Sequence, residues 1–257
     1  QQIRFLMRSF WFFCFLIFSI PQHIWANETV DSLLAVLRQW EDQAPDAEWA
    51  KAKLSLGREW HNAGQFAKAQ TAFESTLDYA KATQDYRMMS DCILGLAKSH
   101  QRLNNFSKAL DHYYDNLDNY QQVINKKQQG LAYSQVSDIY QNLGDNQKAF
   151  DIQMQALQIF EEAADTNGIA SSTYSLATIF FYQSRFDAAL VHYEIAYDLG
   201  KVVNNGRLIY SCLAAIGSVY ERKGEVKKGL NYNKEALAMA KEIDYPFGIA
   251  YAYGNLG

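Results

Sequence analysis

Proline is nearly missing from this chain: of three in all, only Pro45 and Pro246 lie beyond Ala26. So few breakers over 257 residues argue for helix from end to end. Cysteine is equally scarce, with Cys14, Cys92 and Cys212 only, so a disulfide framework is excluded as the source of stability. Excess positive charge is absent as well. Beyond Ala26 there are 22 basic and 28 acidic residues, a net of −6, and no block of lysine and arginine. A nucleic-acid partner needs a basic face to neutralise phosphates, and the chain as a whole offers none. The motifs of common enzymes are missing too. There is no Gly-x-x-x-x-Gly-Lys, no Gly-x-Gly-x-x-Gly after a strand, no Gly-x-Ser-x-Gly, no Cys-x-x-Cys and no His-Glu-x-x-His. We therefore expect no metal, no cofactor and no enzyme within these residues. The composition is half hydrophobic and rich in tyrosine and phenylalanine, which marks a packed protein and not a disordered one.

The segment before Asn27 differs from the rest. Arg4 and Arg8 precede an apolar run from Phe10 to Ile20, followed by Pro21 and then Ile24-Trp25-Ala26. A basic head, an apolar middle and a small residue at the end predict a secretory signal over 1–26, cut after Ala26. The run is short of the ~20 apolar residues a membrane-crossing helix needs, although an uncleaved anchor is the alternative. The chain is expected in the periplasm or secreted, with any membrane attachment through an uncleaved leader or a later segment. Cys14 sits inside the apolar run and does not read as a lipoprotein cysteine.

Everything else follows one period. Leu56-Gly57-x-x-Trp60-x-x-x-Gly64 leads to Ala69 and Phe73. Forty residues later stand Leu96-Ala97, His100, Asn104, Ala109 and Tyr113, and then Val136-Ser137, Tyr140, Gly144 and Ala149. Leu176-Ala177, Phe180, Ser184, Ala189 and Tyr193 come next, followed by Ile216-Gly217, Tyr220, Gly224 and Gly229. The small residue recurs at 57, 97, 137, 177, 217 and 257 without an insertion. A small side chain lets a neighbouring helix approach, and the ring three residues on fills the space beside it. Glycine or asparagine seven residues on accepts the left-handed conformation that ends a helix. Leu77, Leu117, Leu157, Tyr197 and Leu237 continue the apolar face of the second helix.

This pattern resembles the tetratricopeptide repeat, in a variant with a period of forty where the family's common period is about 34 residues. The resemblance implies an all-α, right-handed superhelical solenoid of helix-turn-helix repeats. We divide the chain into a signal peptide at 1–26, a capping helix and linker at 27–49, and a repeat array at 50–257. The repeats fall at 50–89, 90–129, 130–169, 170–209 and 210–249, with the start of a sixth. Val30, Leu33, Leu34 and Leu37 have the helical spacing of an end cap. A repeat begun but not completed at Gly257 leads us to expect further chain. Gln153 and Asn233 replace the second aromatic and Gly229 replaces alanine, so looser packing is expected in the third and fifth repeats. Cys92 and Cys212 lie three repeats apart, beyond the ~7 Å a disulfide can span, and read as small core residues.

In such repeats the first helices line a concave side, with residues one, four and five after the small position pointing into it. Carried over, these are Arg58, His61 and Asn62, then Lys98, Gln101 and Arg102, then Asp138, Gln141 and Asn142. They continue with Thr178, Phe181 and Tyr182, and with Ser218, Glu221 and Arg222. The candidate groove residues are Arg58, His61, Asn62, Lys98, Gln101, Arg102, Gln141, Asn142, Tyr182 and Arg222. Amides pair with both edges of an extended backbone, and the cations suit a carboxylate. The family's lysine–asparagine clamp for a chaperone's terminal carboxylate is not reproduced, because Leu54 stands where the lysine would be. Of the remaining histidines, His100 takes the ring position and reads as core or half-buried, while His112 and His192 share a register two repeats apart. The implied function is an exported scaffold that binds a protein or peptide segment. The alternative is the sensory input of a membrane signalling enzyme, a diguanylate cyclase or histidine kinase, with its catalytic part beyond Gly257.

Overall fold

A computed structural model describes residues 22–40, 43–122 and 125–256, and among these there is no strand. Among the described residues twelve α-helices follow one another. They are α1 (Gln22–Leu37), α2 (Ala47–Asn62), α3 (Phe66–Thr83), α4 (Tyr86–Arg102), α5 (Phe106–Gln122) and α6 (Lys126–Asn142). After these come α7 (Asn146–Glu162), α8 (Thr166–Tyr182), α9 (Phe186–Val202), α10 (Gly206–Arg222), α11 (Val226–Glu242) and α12 (Pro246–Leu256). From α3 onward helices start at even intervals, at Phe66, Tyr86, Phe106, Lys126 and so on to Pro246, so that helices of one kind recur with the period of the sequence. The described residues form two compact units that divide within α5, one ending at His112 and the other starting at Tyr113. In each, successive helices pack as antiparallel neighbours, and in the first unit α1 lies on α2. The expected leader falls mostly on residues 1–21, outside the described residues, and α1 starts at Gln22. Among the described residues no helix is long and apolar enough to cross a membrane.

Many of the helix ends are written in the sequence. Asp46, Asp85, Asn125, Asp145 and Asn205 cap α2, α4, α6, α7 and α10, accepting hydrogen bonds from backbone N–H groups two or three residues on. At the turn inside each hairpin, Gly64, Asn104, Gly144, Ser184 and Gly224 take positive φ, between 58° and 81°. The backbone carbonyl of the ring residue closes that turn: Trp60, His100, Tyr140, Phe180 and Tyr220 accept from the N–H five residues later. The joints between hairpins use the same device without glycine. There Gln84, Ala164, Asn204 and Asp244 carry the positive φ.

Packing explains the small residues. In the first unit the fully buried Phe73 of α3 is slotted between Gly57 of α2 and Gly95 of α4. A Cβ at those glycines would fall 2.7 Å and 2.6 Å from its ring. In the second unit Phe160 of α7 is held in the same way between Gly130 of α6, where a Cβ would lie 2.8 Å away, and Gly168 of α8. One ring on a second helix therefore locks its own hairpin to the next. At the serine of the small register, Ser137 Oγ donates to the Ala149 carbonyl at 2.8 Å and ties α6 to α7.

The looser packing expected in the fifth repeat is not found. Two glycines face each other there, and a Cβ on Gly217 would lie 3.1 Å from the Gly229 carbonyl, so α10 and α11 approach closely. Asn233 occupies the aromatic's place fully buried, and its Nδ2 donates to Glu221 Oε1 at 2.8 Å. In the third repeat Gln153 is likewise fully buried, with Nε2 reaching Ser134 Oγ at 3.4 Å. The amide NH2 groups of these replacements are bonded and, in the fifth repeat, the backbones come closer, while Gln153 Oε1 and Asn233 Oδ1 stay buried with no hydrogen-bond partner among the described residues. Cys92 and Cys212 are free and buried in apolar clusters, and burial pushes each thiol up to about 12.

Candidate functional site

In the first unit, α2 and α4 set a cleft of about 260 Å³ between them, closed at its floor by Phe73. Arg58, His61 and Asn62 reach it from α2, and Asp91, Leu94, Gly95 and Lys98 reach it from α4. The α4 contributors are spaced three or four residues apart, one stripe of a helix. Arg58 Nη2 lies 3.0 Å from Asp91 Oδ2, with both side chains about half exposed. Lys98 has no such partner described, and its ammonium is pushed below the usual lysine range by burial first and Arg58 second, with Asp91 opposing. A cation held in that way gains from any carboxylate brought to it.

His61 shares this cleft and is set by its neighbours. Its Nδ1 lies 2.9 Å from Ser99 Oγ, and the Ser99 hydroxyl donates to the Gly95 carbonyl at 2.8 Å. With that proton committed, Nδ1 is the donor to Ser99, and the neutral ring keeps Nε2 as an acceptor. Burial, then Lys98, then Arg102 hold its pKa below the usual histidine value, so it is uncharged at neutral pH. The cleft thus offers cations and amide or imidazole acceptors together, and it can grip an acidic group beside a backbone edge.

The second unit carries a different cleft, of about 240 Å³. Tyr174, Thr178, Phe181 and Tyr182 come from α8, Tyr193 from α9, Tyr210, Ser211, Ala214, Ala215 and Ser218 from α10, and Phe247 and Tyr251 from α12. Seven of the twelve are aromatic and none is charged. Two hydroxyls are committed internally: Tyr193 donates to Thr178 Oγ1 at 3.1 Å, and Tyr210 donates to the Gly248 carbonyl at 3.1 Å. Tyr182, Phe247 and Tyr251 remain 64%, 70% and 51% exposed, which is unusual for rings clustered this closely.

The candidate groove residues are therefore distributed unequally. Arg58, His61, Asn62 and Lys98 meet in the first cleft, and Tyr182 lines the second. Arg102 acts on His61 through its charge, without lining that cleft. Gln101 belongs to α4, Gln141 and Asn142 end α6, and Arg222 ends α10; none lines either cleft. Gln141 Nε2 is buried with no hydrogen-bond partner among the described residues. Glu221 is turned inward to Asn233. Asp138 takes the place in α6 that Lys98, Thr178 and Ser218 hold in α4, α8 and α10. Burial pushes its carboxyl up to about 6, and Gln135 Nε2 approaches it at 3.4 Å.

Sequence reasoning missed Tyr174, Tyr210, Ser211, Ala214, Phe247 and Tyr251, as well as Asp91 and Leu94. The signal was present: Ser218, Ala214 and Ser211, like Lys98, Leu94 and Asp91, descend one helical stripe by four and then three. Following the groove stripe toward each helix's N-terminus would have found all of these but Tyr210. His100 is half-buried as expected, stacked on His112 at 5.4 Å with Gln70 Nε2 3.1 Å from its Nδ1. Among the described residues no group of three or more His, Cys, Asp or Glu side chains is arranged to hold a metal ion.

Comparison with known proteins fits this architecture. Residues 128–201 match the tetratricopeptide repeat family. The chain is 28% identical over 116 residues to response regulator aspartate phosphatase A of Bacillus subtilis (strain 168), an overlap of 42% of this chain and 29% of that protein. Among solved structures it is similar to a signal transduction ATPase with numerous domains from Pyrococcus horikoshii that carries a tetratricopeptide repeat sensor. That match has a TM-score of 0.72 at 19% identity and covers 87% of this chain and 35% of the other. A Rap protein complexed with competence and sporulation factor matches with a TM-score of 0.63 at 15% identity, over 91% of this chain and 70% of that one. The chain thus spans about a third or less of the first two relatives. The hairpins within residues 128–201 are of the tetratricopeptide type, and the fold of the chain is the all-helical one of these structures.

Proposed function

We propose that this chain is a scaffold for an extended polypeptide, and that its first unit grips an acidic side chain or terminal carboxylate between α2 and α4. The observation that carries this reading is the convergence of Arg58, His61, Asn62 and Lys98 in one cleft, with the Lys98 ammonium partly desolvated. The likeness to a Rap protein crystallised with competence and sporulation factor supports it by analogy of fold. Calorimetry of the chain with short peptides that differ only in a free or amidated C-terminus, or in Glu against Gln, tests it directly. A free carboxylate or Glu should bind at least tenfold tighter. Changing Arg58, Lys98 and Arg102 together to alanine should abolish that preference; an unchanged preference would mean that the cleft is not the site.

We further propose that the scaffold is an exported input module of a larger signalling protein, a diguanylate cyclase or histidine kinase. The motive is the likeness to a protein whose tetratricopeptide repeats are described as a sensor, together with the basic and apolar character of residues 1–26. Fusing residues 1–60 to alkaline phosphatase reads export: activity in cells supports it, and an inactive cytoplasmic fusion rejects it. Sequencing the gene downstream of Gly257 reads the rest. A membrane span followed by a catalytic domain supports the input module, and a stop codon removes it.

A further inference from the structure

We propose that the aromatic cleft of the second unit is a separate subsite for a basic side chain, an arginine or lysine of the bound polypeptide, held by ring faces and countered by Asp138. The proposal rests on the reading of this chain as a polypeptide scaffold, but on none of the residues that carry the first cleft.

Three observations on the second unit carry it. The first is the ring count without charge: seven aromatic rings line one cleft, and no cation already occupies it. The second is how this unit treats other rings, most of them half-buried. Lysine or arginine lies over Tyr140, Phe180, Tyr197, Tyr220, Tyr245 and Tyr253 in the same unit. None of the described cation–π pairs uses a ring of the cleft. Tyr182, Phe247 and Tyr251 are well exposed with no cation described over them, and a cation is a partner such faces hold beyond ordinary apolar contact. The third is Asp138. It sits on α6, which touches α8, in the register whose members Thr178 and Ser218 line the cleft. No ion pair is described for it, and burial raises its pKa with no cation to oppose the rise. A carboxylate one repeat along the same register from an uncharged aromatic cleft complements a guanidinium or ammonium and disfavours an acid. Tyr193 and Tyr210 are buried with their hydroxyls committed to Thr178 and Gly248, so the rings a guest meets are chiefly Tyr182, Phe247 and Tyr251.

The test uses one short peptide, acetylated and amidated so that it has no terminal charge, with a single arginine beside a leucine. Three copies replace the arginine by citrulline, norleucine or glutamate, and binding to the full chain is read by fluorescence anisotropy. The arginine peptide should bind at least tenfold tighter than the citrulline one, and the glutamate peptide should bind worst. Asp138→Asn should bring arginine down toward citrulline. Tyr182→Ala with Phe247→Ala, both well exposed and so tolerated by the fold, should weaken the arginine peptide more than the citrulline peptide. Circular dichroism checks that each variant is folded. Equal affinity for arginine, citrulline and norleucine would overturn the proposal in favour of a purely apolar cleft. Failure of all four peptides to bind, or arginine binding that survives the Tyr182 and Phe247 changes, would overturn it too. The variant lacking Arg58, Lys98 and Arg102 should keep the arginine preference, so the first cleft and the second fail or succeed separately.

Discussion

The two units use the same frame for opposite chemistry. In each, one stripe of a first helix looks into a cleft: Asp91, Leu94 and Lys98 in the first unit, Ser211, Ala214 and Ser218 in the second. In each, a phenylalanine from a second helix is locked between two glycines. Yet the first cleft is charged and internally paired, with Arg58 on Asp91, whereas the second is uncharged and walled with rings. The difference teaches that the repeating pattern fixes where a guest can lie and says little about which guest. Core positions are constrained by packing and recur. Stripe positions line the clefts and, apart from Ala214, are at least partly exposed, so each repeat can vary them at less cost in stability than core positions.

The largest effect expected concerns what the units share. Phe73→Ala in the first unit and Phe160→Ala in the second each empty a slot between two glycines, which costs about 3–5 kcal/mol for a buried phenylalanine. Because contacts in a repeat array reach only neighbours, each loss should stay largely in its own unit. Hydrogen exchange read by mass spectrometry should show Phe73→Ala speeding exchange in α2, α3 and α4 while α9 to α11 hold. Uniform loss of protection in both units would mean that the chain unfolds as one body and that the comparison between its parts is thermodynamically empty.

Next in size is the contrast between a paired and an unpaired carboxylate on the inner stripe. Asp91 has Arg58 at 3.0 Å, and Asp138 has no ion pair described. Burial raises the Asp138 pKa from 3.8 to about 6. The folded chain then binds more protons at this site than the unfolded chain between those values. The stability this gives is complete below about pH 4 and is lost as pH rises through 6. Asp138→Asn should therefore match the parent near pH 4 and exceed it near pH 7, by on the order of 2 kcal/mol. Urea titrations at both pH values read it; equal midpoints at pH 7 would show that the Asp138 carboxylate is solvated or already countered.

How much of this was legible beforehand depends on what each residue answers to. Gly57, Gly217, Phe73 and the turn residues Gly64 and Gly144 answer to sterics and backbone geometry, which repeat, so one sequence with five copies displays them. Arg58, His61, Asn62 and Lys98 were found because the resemblance supplied their register. The aromatic cleft was missed as a unit because its members come from four helices and two kinds of position: Tyr193 lies on a second helix, while Tyr210 and Phe247 sit near the starts of first helices. Asn233 and Gln153 read as defects in the hydrophobic pattern, since a one-dimensional pattern carries no hydrogen bonds. Their burial is a matter of what Glu221 and Ser134 present to them.

The smallest effect tests whether the shared frame is optimised. Gly144 has φ +81° with nothing within 4 Å of where a Cβ would lie, and Gly64 is the same at +75°. Alanine at either should cost about 1 kcal/mol through backbone conformation alone, since no clash contributes. Ser184, in the equivalent turn, has φ +60° without being glycine, and Ala164 has +50° in a joint. Ser184→Gly and Ala164→Gly should therefore gain up to about 1 kcal/mol, part of the relief being offset by the greater freedom of glycine in the unfolded chain. Thermal melts of these variants give the sign. A loss at Ser184→Gly would mean that the serine side chain supports the turn in a way its backbone angle does not express, and the equivalence of the two kinds of turn would fail at that residue.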